Sequence, residues 1–539
     1  MSSQMEEQRV REVRVGGAVQ ESGTAARVLG GVALRMSRSF GWSAAVSMAV
    51  WGGAASAQAT QAACEAALSL TYPDVVVLSA ERSSEPVPLC KVKGRVGNNI
   101  HFSVWLPDAW NGRFVMGGAG GFVAPEDNQA IRFTEGDVLR RGYATASTDT
   151  GHHAPLGRSS AWGLNNYEAI VDYAHLGMHR AVVTSKALIA DFYGRPLERS
   201  LFVGCSNGGR QALHEAQRYP EDFDGIFAGA PALHLSRVPA LALQLTEKLY
   251  PNAEDLSNSI LDLEDRAHLR GELLQACDEL DGVKDGFLHD PTVCDFDPSS
   301  LLCASDTGAQ ACLSREEVEA VELIYNGPTN SEGSLGQGYP FGAEDVQENG
   351  WGMWLTGGVT QGVPSAAYAF GIGIMRNFVE HDATWSYEGY DWDRFDEDVA
   401  PLTAILDPTD PDLGAFRAGG GKILMMHGWS DAALTAHATI DYVESVLAHD
   451  GDAAEDVRLF MVPGMLHCAG GPGPTRVDWL GALEAWVDGG AAPDRLVAEY
   501  PGKAGERPLC AWPARAVYQG GDPDALVSYR CVTAEREKH

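Results

Sequence analysis

The sequence predicts an α/β fold in which helices cover a mostly parallel β-sheet that a large segment interrupts. Three observations support this prediction. Short β-rich runs alternate with amphipathic helical runs from His101 onward, this alternation is lost between about residues 232 and 415, and it resumes at Lys422. Such alternation is typical of a parallel sheet covered by helices. Because neither flank alone supplies a complete sheet, one interrupted domain explains the chain better than two serial domains.

The individual elements follow from local residue patterns. Apolar and β-branched runs predict strands at residues 101–106, 113–116, 143–147, 201–204, 225–230, 422–427 and 458–462. Apolar residues at helical spacing predict helices at 167–193, 210–218, 433–447 and 477–487. The expected parts of the fold are a core in two pieces, at 58–231 and 416–539, and an insertion at 232–415.

The N-terminal region has the pattern of an export signal. Arg35 and Arg38 precede an apolar run over residues 40–51, and the small residues that signal peptidase requires follow it. We therefore expect residues 1–57 to be a signal peptide with a long lead, unless translation starts at Met36. The run is too short to span a bilayer comfortably, so we expect a secreted or periplasmic product without a membrane anchor.

The composition excludes a nucleic-acid partner. The formal net charge is −33, and no basic stripe is present, whereas binding to phosphates relies on clustered Lys and Arg. We interpret the acidity as a solubilising surface. The sequence does not indicate an oligomeric state.

All ten cysteines lie after the expected cleavage site, and an even number in an exported chain favours disulfides. Sequence proximity suggests the pairs Cys64–Cys90, Cys277–Cys294, Cys303–Cys312 and Cys510–Cys531, which leaves Cys205 and Cys468 as a distant pair. A structural zinc site is the alternative, but paired C-x-x-C motifs are missing from the sequence.

A candidate nucleophile stands in the pentapeptide Gly-Cys-Ser-Asn-Gly at residues 204–208, between a predicted strand and a predicted helix. This G-x-S-x-G context is typical of the nucleophile elbow of the α/β-hydrolase fold, which would expose the hydroxyl of Ser206 above the sheet. A chance glycine-rich turn is the alternative.

The remaining members of a triad follow in the order that this fold uses, namely serine, acid, histidine. Asp431 and His467 each come shortly after a predicted strand. His427 is a competing histidine, but its place before the acid favours a supporting role. A bridge between Cys205 and Cys468 would hold the neighbouring Ser206 and His467 close together, since bridged Cα atoms lie about 5.5–6 Å apart. Two unpaired thiols are the alternative.

An oxyanion hole in this fold uses the backbone N–H after the nucleophile and a second N–H from an early loop. Asn207 would supply the first. The small residues at 117–121 follow a predicted strand and are the source that we expect for the second.

A candidate metal loop lies at residues 278–287, where three aspartates and two glycines occur together. Carboxylates supply the hard oxygen ligands that Ca²⁺ prefers, and glycines permit tight curvature. The acid at the twelfth position of an EF-hand is missing. From the residues alone, a solvated turn explains this segment as well as a calcium site does.

Three of these motifs together resemble the tannase and feruloyl esterase family: residues 204–210, the aspartate of 428–431, and residues 462–468. The resemblance implies an α/β-hydrolase that cleaves esters of aromatic carboxylic acids. It assigns the triad to Ser206, Asp431 and His467, an active-site disulfide to Cys205 and Cys468, and the second oxyanion donor to Gly121, with Gly120 close behind.

The same resemblance implies a structural calcium ion. Its ligands would be the side chains of Asp278, Asp281 and Asp285 and the carbonyls of Val283 and Phe287. The disulfide expected between Cys277 and Cys294, which flank this loop, would hold the loop in its binding conformation before the ion binds.

By the same resemblance, residues 232–415 form a lid over the pocket for the aromatic acid. Candidate pocket walls are Trp351, Trp354, Tyr368 and Phe370, although each of these could instead belong to the core of the lid. Arg376 is the only Lys or Arg between residues 316 and 393, and it does not align with the arginine that holds a terephthalate monoester in one member of the family.

We therefore expect a secreted serine carboxylesterase similar to feruloyl esterases, acting on neutral phenolic esters. Hydrolysis of galloyl esters or of a terephthalate monoester is the alternative within the family, and peptidase or acyltransferase chemistry is the alternative for the triad. A non-catalytic binding protein stabilised by calcium is the alternative outside enzymology.

Overall fold

The central sheet has nine strands. The computed structural model describes residues 61–533 apart from residues 124–128, 131–133, 135, 153–158, 305–311 and 360–363, so the predicted signal peptide lies outside the described residues. The strands are β1 (Val75–Ser83), β2 (Leu89–Val96), β3 (Ile100–Pro107), β4 (Arg113–Gly117), β5 (Ala144–Thr148), β6 (Arg199–Cys205), β7 (Gly225–Gly229), β8 (Lys422–Gly428) and β9 (Val457–Val462).

The strand order is β1-β2-β3-β5-β4-β6-β7-β8-β9. The strands from β5 to β9 in this order pair in parallel, whereas β1, β2 and β3 add an antiparallel edge. The predicted α/β class is therefore confirmed. The sequence prediction did not include β1 and β2, because their half-exposed faces carry mixed polar residues that give a weak strand pattern.

Helices cover both faces of the sheet. The α-helices are Gln61–Ala66, Asp137–Arg140, Tyr167–Val171, Gly177–Tyr193, Asn207–Arg218, Val238–Leu249, Leu263–Cys277, Arg315–Asn326, Ala366–Ile374, Phe395–Leu406, Gly414–Ala418, Ala436–His449 and Trp479–Val487. The helix predicted over 167–193 contains a π-helical turn at Asp172–Leu176. Two small hairpins, β10 (Arg495–Glu499) with β11 (Glu506–Cys510) and β12 (Ala514–Tyr518) with β13 (Tyr529–Thr533), follow the last helix.

The side chains of the central strands alternate between two buried cores. In β6, Leu201 and Val203 belong to the core on one face, and Phe202 belongs to the core on the other. Burial of both faces explains why the central strands have continuous apolar runs rather than alternating ones. The carboxyl ends of these strands consequently meet at one edge, where polar loops can converge.

The longest connection joins β7 to β8, which are direct neighbours in the sheet. Residues 230–421 lie between them and carry buried clusters of their own, in which Trp351 contacts Tyr325 at a ring distance of 5.5 Å. The insertion expected at 232–415 falls within this connection.

Four disulfides join the pairs that sequence proximity suggested, Cys64–Cys90, Cys277–Cys294, Cys303–Cys312 and Cys510–Cys531, and a fifth joins the remaining distant pair, Cys205 and Cys468. Among the described helices, none combines the length and the apolar character that crossing a membrane requires.

Candidate active site

Ser206 occupies a strained turn between β6 and the helix Asn207–Arg218. Its backbone has φ +64° and ψ −127°, a conformation that residues other than glycine rarely adopt. Close backbone packing makes the turn possible: a Cβ atom at Gly204 would lie 2.4 Å from the carbonyl oxygen of Gly208, and one at Gly208 would lie 2.8 Å from that of Gly118. The glycines of the pentapeptide are therefore required by the geometry of the elbow.

Asp431 and His467 form a direct hydrogen bond. The ring Nδ1 of His467 lies 2.7 Å from Oδ2 of Asp431, and both side chains are buried. The other carboxylate oxygen accepts from the amides of Ala433 and Leu434 at 2.8 and 3.0 Å. Burial by itself would raise the pKa of Asp431, but the charges and hydrogen bonds of His467 and His427 outweigh it and hold this pKa well below its usual range.

The disulfide Cys205–Cys468 brings the serine and the histidine to one place. Its Cα atoms are 6.0 Å apart, and both Ser206 and His467 line one cavity. The ring Nε2 of His467 lies 3.7 Å from Sγ of Cys468, and within the described chain Ser206 Oγ makes no hydrogen bond to this ring. Catalytic hydrogen bonds are often long before substrate binds.

His427 supports the acid. It is fully buried, its Nδ1 pairs with Thr439 Oγ1 at 2.8 Å, and its Nε2 lies 3.1 Å from the carbonyl of Leu434 and 3.3 Å from Oδ2 of Asp431. Both ring nitrogens are therefore occupied inside the protein. This arrangement suits a residue that orients Asp431 rather than one that reacts with substrate.

A segment of the long connection holds the loop of His467. The side-chain amide of Asn349 donates to the carbonyls of His467 and Ala469 at 3.0 and 3.2 Å. The indole N–H of Trp354 donates to Oδ1 of Asn349, and the Trp354 ring meets the His467 ring edge-on at 5.1 Å. The sequence analysis did not identify Asn349, because an asparagine in a turn gives no signal of a partner 118 residues away.

The two expected oxyanion donors lie beside the serine. Asn207 and Gly121 line a cavity with Ser206, and within the described chain neither backbone N–H donates to a protein acceptor. The side chain of Asn207 donates to the carbonyl of Ala119 at 2.9 Å, while the amide of Ala119 donates to Gln211 at 3.0 Å. The helix Asn207–Arg218, called the nucleophile helix below, therefore positions the glycine-rich loop of residues 117–121 directly.

Arg210 fixes the nucleophile helix from behind. Its guanidinium is fully buried and donates to Asn207 Oδ1 and to the carbonyls of Tyr173, Ala174 and Leu406 at 2.7–3.0 Å. Burial lowers the pKa of Arg210. Four acceptors offset the cost of burying this cation and tie three segments together.

A mostly apolar cavity of about 370 Å³ opens next to Ser206. Of the four aromatic residues considered as walls, Trp354 and Phe370 line it, with rings stacked at 6.3 Å. Trp351 is instead 1% exposed in the core of the connection, and Tyr368 packs on Tyr387. Sequence spacing alone could not distinguish the rings that line the cavity from those that pack inside the connection.

The charged groups of this cavity differ from the expectation. Arg376 donates to the carbonyl of Trp385 and is not among the described residues that line the cavity. Arg237 does line it, and its guanidinium donates to Asp396 at 2.5 Å and to the carbonyl of Leu335 at 2.9 Å. Arg237 was not predicted, because it precedes residues 316–393, where Arg376 is the only Lys or Arg.

A second, more polar cavity of about 800 Å³ meets the first at Ser206. Arg141, Arg476 and Asp478 line it together with His467. The serine consequently stands between two cavities that differ in polarity, so the two sides of an ester would experience different surroundings.

The three aspartates of the candidate calcium loop influence one another through their charges, but within the described residues their carboxylate oxygens do not all lie within 4.8 Å of one another. Burial raises the pKa of Asp281 to about 6, and the charges of Asp285 and Asp278 add to this rise. Oδ1 of Asp285 is buried without a hydrogen-bond partner, while its Oδ2 accepts from Arg507 at 2.6 Å. Arg507 was not anticipated from the sequence. A buried carboxylate oxygen without a donor, such as Oδ1 of Asp285, fits a loop in which a bound cation would be its partner.

Known proteins resemble this chain over most of its length. A profile of the family described as tannase and feruloyl esterase matches residues 84–532. The chain is 32% identical to a mono(2-hydroxyethyl) terephthalate hydrolase from Piscinibacter sakaiensis, over 88% of this chain and 92% of that protein. It is 31% identical to a probable feruloyl esterase from Arthroderma benhamiae, over 81% and 83%. The crystal structure of feruloyl esterase B from Aspergillus oryzae matches with a TM-score of 0.76 at 25% identity, over 88% and 100%.

Proposed function

Because this chain belongs to the tannase and feruloyl esterase family and is a carboxylic ester hydrolase of the α/β-hydrolase fold, we propose that it cleaves esters of aromatic carboxylic acids with Ser206, Asp431 and His467 as its triad. One observation carries the proposal: the 2.7 Å hydrogen bond between Asp431 and a histidine that a disulfide links to the elbow of Ser206. A binding protein without catalysis would not need this arrangement.

In the first step, Ser206 attacks the ester carbonyl while Nε2 of His467 accepts its proton. Asp431 keeps the other ring nitrogen protonated and stabilises the imidazolium that forms. The backbone N–H groups of Asn207 and Gly121 would stabilise the oxyanion, and His467 then protonates the leaving alcohol. Water releases the acid from Ser206 by the same route in a second step.

We assign the aromatic acyl group to the apolar cavity and the alcohol to the polar one. Trp354 and Phe370 present ring surfaces to the first cavity, which favours an aromatic acid. We also propose that residues 232–415 form the lid of the site, since both rings belong to this segment.

A terephthalate monoester is the second candidate, because Arg237 lines the same cavity and one relative bears that activity in its name. Its guanidinium already has an acidic partner in Asp396. A neutral phenolic or galloyl ester therefore fits this cavity better than an ester with a free carboxylate.

An initial-rate panel tests this proposal, with methyl ferulate, methyl gallate, a terephthalate monoester and a short p-nitrophenyl ester as substrates. We expect the phenolic esters to have the highest kcat/KM, and a clear preference for the terephthalate monoester would reverse the ranking. The variant Ser206→Ala should fold normally and lose at least about a thousandfold in kcat. Ser445→Ala, at a position that lines neither cavity, is the matched control.

We further propose that residues 278–287 hold a structural Ca²⁺. The side chains of Asp278, Asp281 and Asp285 and the carbonyls of Val283 and Phe287 would bind it. The oxygen donor set and the unpartnered Oδ1 of Asp285 support this proposal. Bound calcium would supply positive charge to a cluster of carboxylates and take no part in the reaction.

Removal of calcium with EGTA should lower Tm without changing kcat at room temperature, because binding stabilises only the folded state. Differential scanning calorimetry with and without CaCl2 measures this effect. Asp281→Asn should abolish the calcium dependence of Tm, whereas Asp297→Asn, an exposed aspartate in a turn, should retain it. An unchanged Tm of the wild type in EGTA would exclude the site.

We place the mature enzyme in an oxidising compartment outside the cytosol. Five disulfides support this location.

A further inference from the structure

Behind the nucleophile helix, away from the proposed catalytic and calcium sites, three potential metal ligands converge. His179 lies on the helix Gly177–Tyr193, Glu215 lies near the end of the helix Asn207–Arg218, and Asp222 lies in the loop before β7. One ligand atom from each residue lies within 4.8 Å of the other two. Within the parts of the chain that the structure describes, this is the one group with such geometry.

Glu215 is buried without a partner. Glu215 is 1% exposed, and neither of its carboxylate oxygens accepts a hydrogen bond. The neighbouring donors are engaged elsewhere: His179 Nδ1 pairs with Asp222 Oδ2 at 2.7 Å, and Lys186 donates to the carbonyl of Asp222. An ionised carboxylate is strongly unfavourable in a buried position that has neither a donor nor a cation. The structure therefore leaves an acceptor directed into the cluster and unsatisfied.

We propose that His179, Glu215 and Asp222 bind one divalent transition-metal ion, with Zn²⁺ as the best fit. One imidazole nitrogen and two carboxylates are a donor set that zinc accepts with a water molecule in the fourth position. Burial raises the pKa of Glu215 well above its ordinary value, so an ion that binds here displaces a proton. Once that proton has left, the carboxylates carry two negative charges and Lys186, at 3.9 Å from Asp222 Oδ1, contributes one positive charge, so the cluster attracts a cation.

The exposure of the three side chains gives the ion a route of entry. The side chain of His179 is 28% exposed and that of Asp222 is 11% exposed, whereas Glu215 forms the closed end. On binding, His179 takes the neutral tautomer with its proton on Nε2, so that Nδ1 can bind the ion, and Oδ2 of Asp222, released from its hydrogen bond to Nδ1, can bind the same ion.

The site would be structural. Glu215 follows Ser206 by nine residues along a helix, which places it about 13 Å away along the axis. That distance excludes contact with an ester carbonyl held at Ser206. An ion here would instead join the helix Gly177–Tyr193 to the nucleophile helix and stabilise the base of the elbow.

The test uses the full mature enzyme, cleared of zinc with a chelator and returned to a buffer with excess CaCl2, so that the calcium site stays loaded. ZnCl2 is then titrated against a chromophoric chelator, and Tm is measured with and without zinc. We expect one zinc ion bound at micromolar Kd or tighter, with an increase in Tm. His179→Ala and Glu215→Gln should each weaken zinc binding at least tenfold and remove the increase in Tm.

His101→Ala is the matched control, since His101 pairs with Asp149 at 2.9 Å in the same way but lies outside the cluster. It should bind zinc as the wild type does. If Glu215→Gln does not fold, His179→Ala, at a partly exposed position, still decides the question. Zinc binding that survives in His179→Ala, or a wild type that binds no zinc because Glu215 keeps a proton shared with Asp222, would overturn the proposal.

Discussion

At Asp431, one buried carboxylate receives hydrogen bonds from two imidazoles and two backbone amides. Burial opposes its charge, yet these donors hold its pKa well below the ordinary value of 3.8. The carboxylate therefore stays ionised at any pH at which the enzyme works. In the proposed mechanism, an ionised acid keeps Nδ1 of His467 protonated, so that Nε2 can accept a proton from Ser206.

Asp431→Asn should reduce kcat by about 10⁴ with little change in KM, because an amide can donate to Nδ1 and so favours the wrong tautomer of His467. Initial rates on a p-nitrophenyl ester measure the loss. Asp452→Asn, at an exposed turn, should retain the wild-type rate. A wild-type kcat in Asp431→Asn would mean that another acid orients the histidine.

At the scale of secondary elements, the connection between β7 and β8 contacts the backbone of the loop that carries the proposed catalytic histidine. Asn349 adopts a left-handed conformation with φ +61° and directs its amide to the carbonyls of His467 and Ala469. The indole N–H of Trp354 donates to Asn349, and Trp354 also lines the apolar cavity beside Ser206. Asn349 and Trp354 together connect the wall of this cavity to the loop that carries His467.

Asn349→Ala should lower kcat by about ten- to a hundredfold while KM changes less than threefold, since a small displacement of the base costs rate more than binding. Steady-state kinetics with a phenolic ester provides the readout. Asn330→Ala removes a turn asparagine from the same connection without contact to His467 and should leave kcat unchanged. Equal losses in the two variants would indicate general loosening of the connection.

At the scale of the whole molecule, the disulfide Cys205–Cys468 joins residues 263 positions apart and crosses the entire connection. In the chain-entropy model a loop of this length contributes about 5 kcal/mol to stability, against about 3 kcal/mol for a loop as short as that of Cys303–Cys312. The long bridge is also the covalent link between the elbow and the histidine loop.

The double variant Cys205→Ser/Cys468→Ser should therefore lose both stability and kcat, whereas Cys303→Ser/Cys312→Ser should lose less stability and no kcat. Thermal unfolding and initial rates on the same samples separate the two effects. A fully active Cys205→Ser/Cys468→Ser enzyme would show that packing alone holds Ser206 beside His467.

The elements that the sequence predicted best are those with a strong local pattern. The central strands have continuous apolar runs, and each ends within one or two residues of its predicted bound. The edge strands β1 and β2 were missed because partial exposure dilutes their pattern. The π-helical turn at Asp172–Leu176 was also missed; it ends before Gly177, where a Cβ atom would lie 3.1 Å from Cα of Thr150.

The sequence by itself determined the α/β class, the family, the elbow around Ser206 and the positions of Asp431 and His467, because each depends on residues that are neighbours along the chain. Only the tertiary structure decided which aromatic rings line the cavity, that Arg237 is the cation beside it, and that Asn349 and Arg210 hold the site in place. These contacts join residues distant in sequence, and their partners are backbone carbonyls, which every residue possesses and no motif can mark.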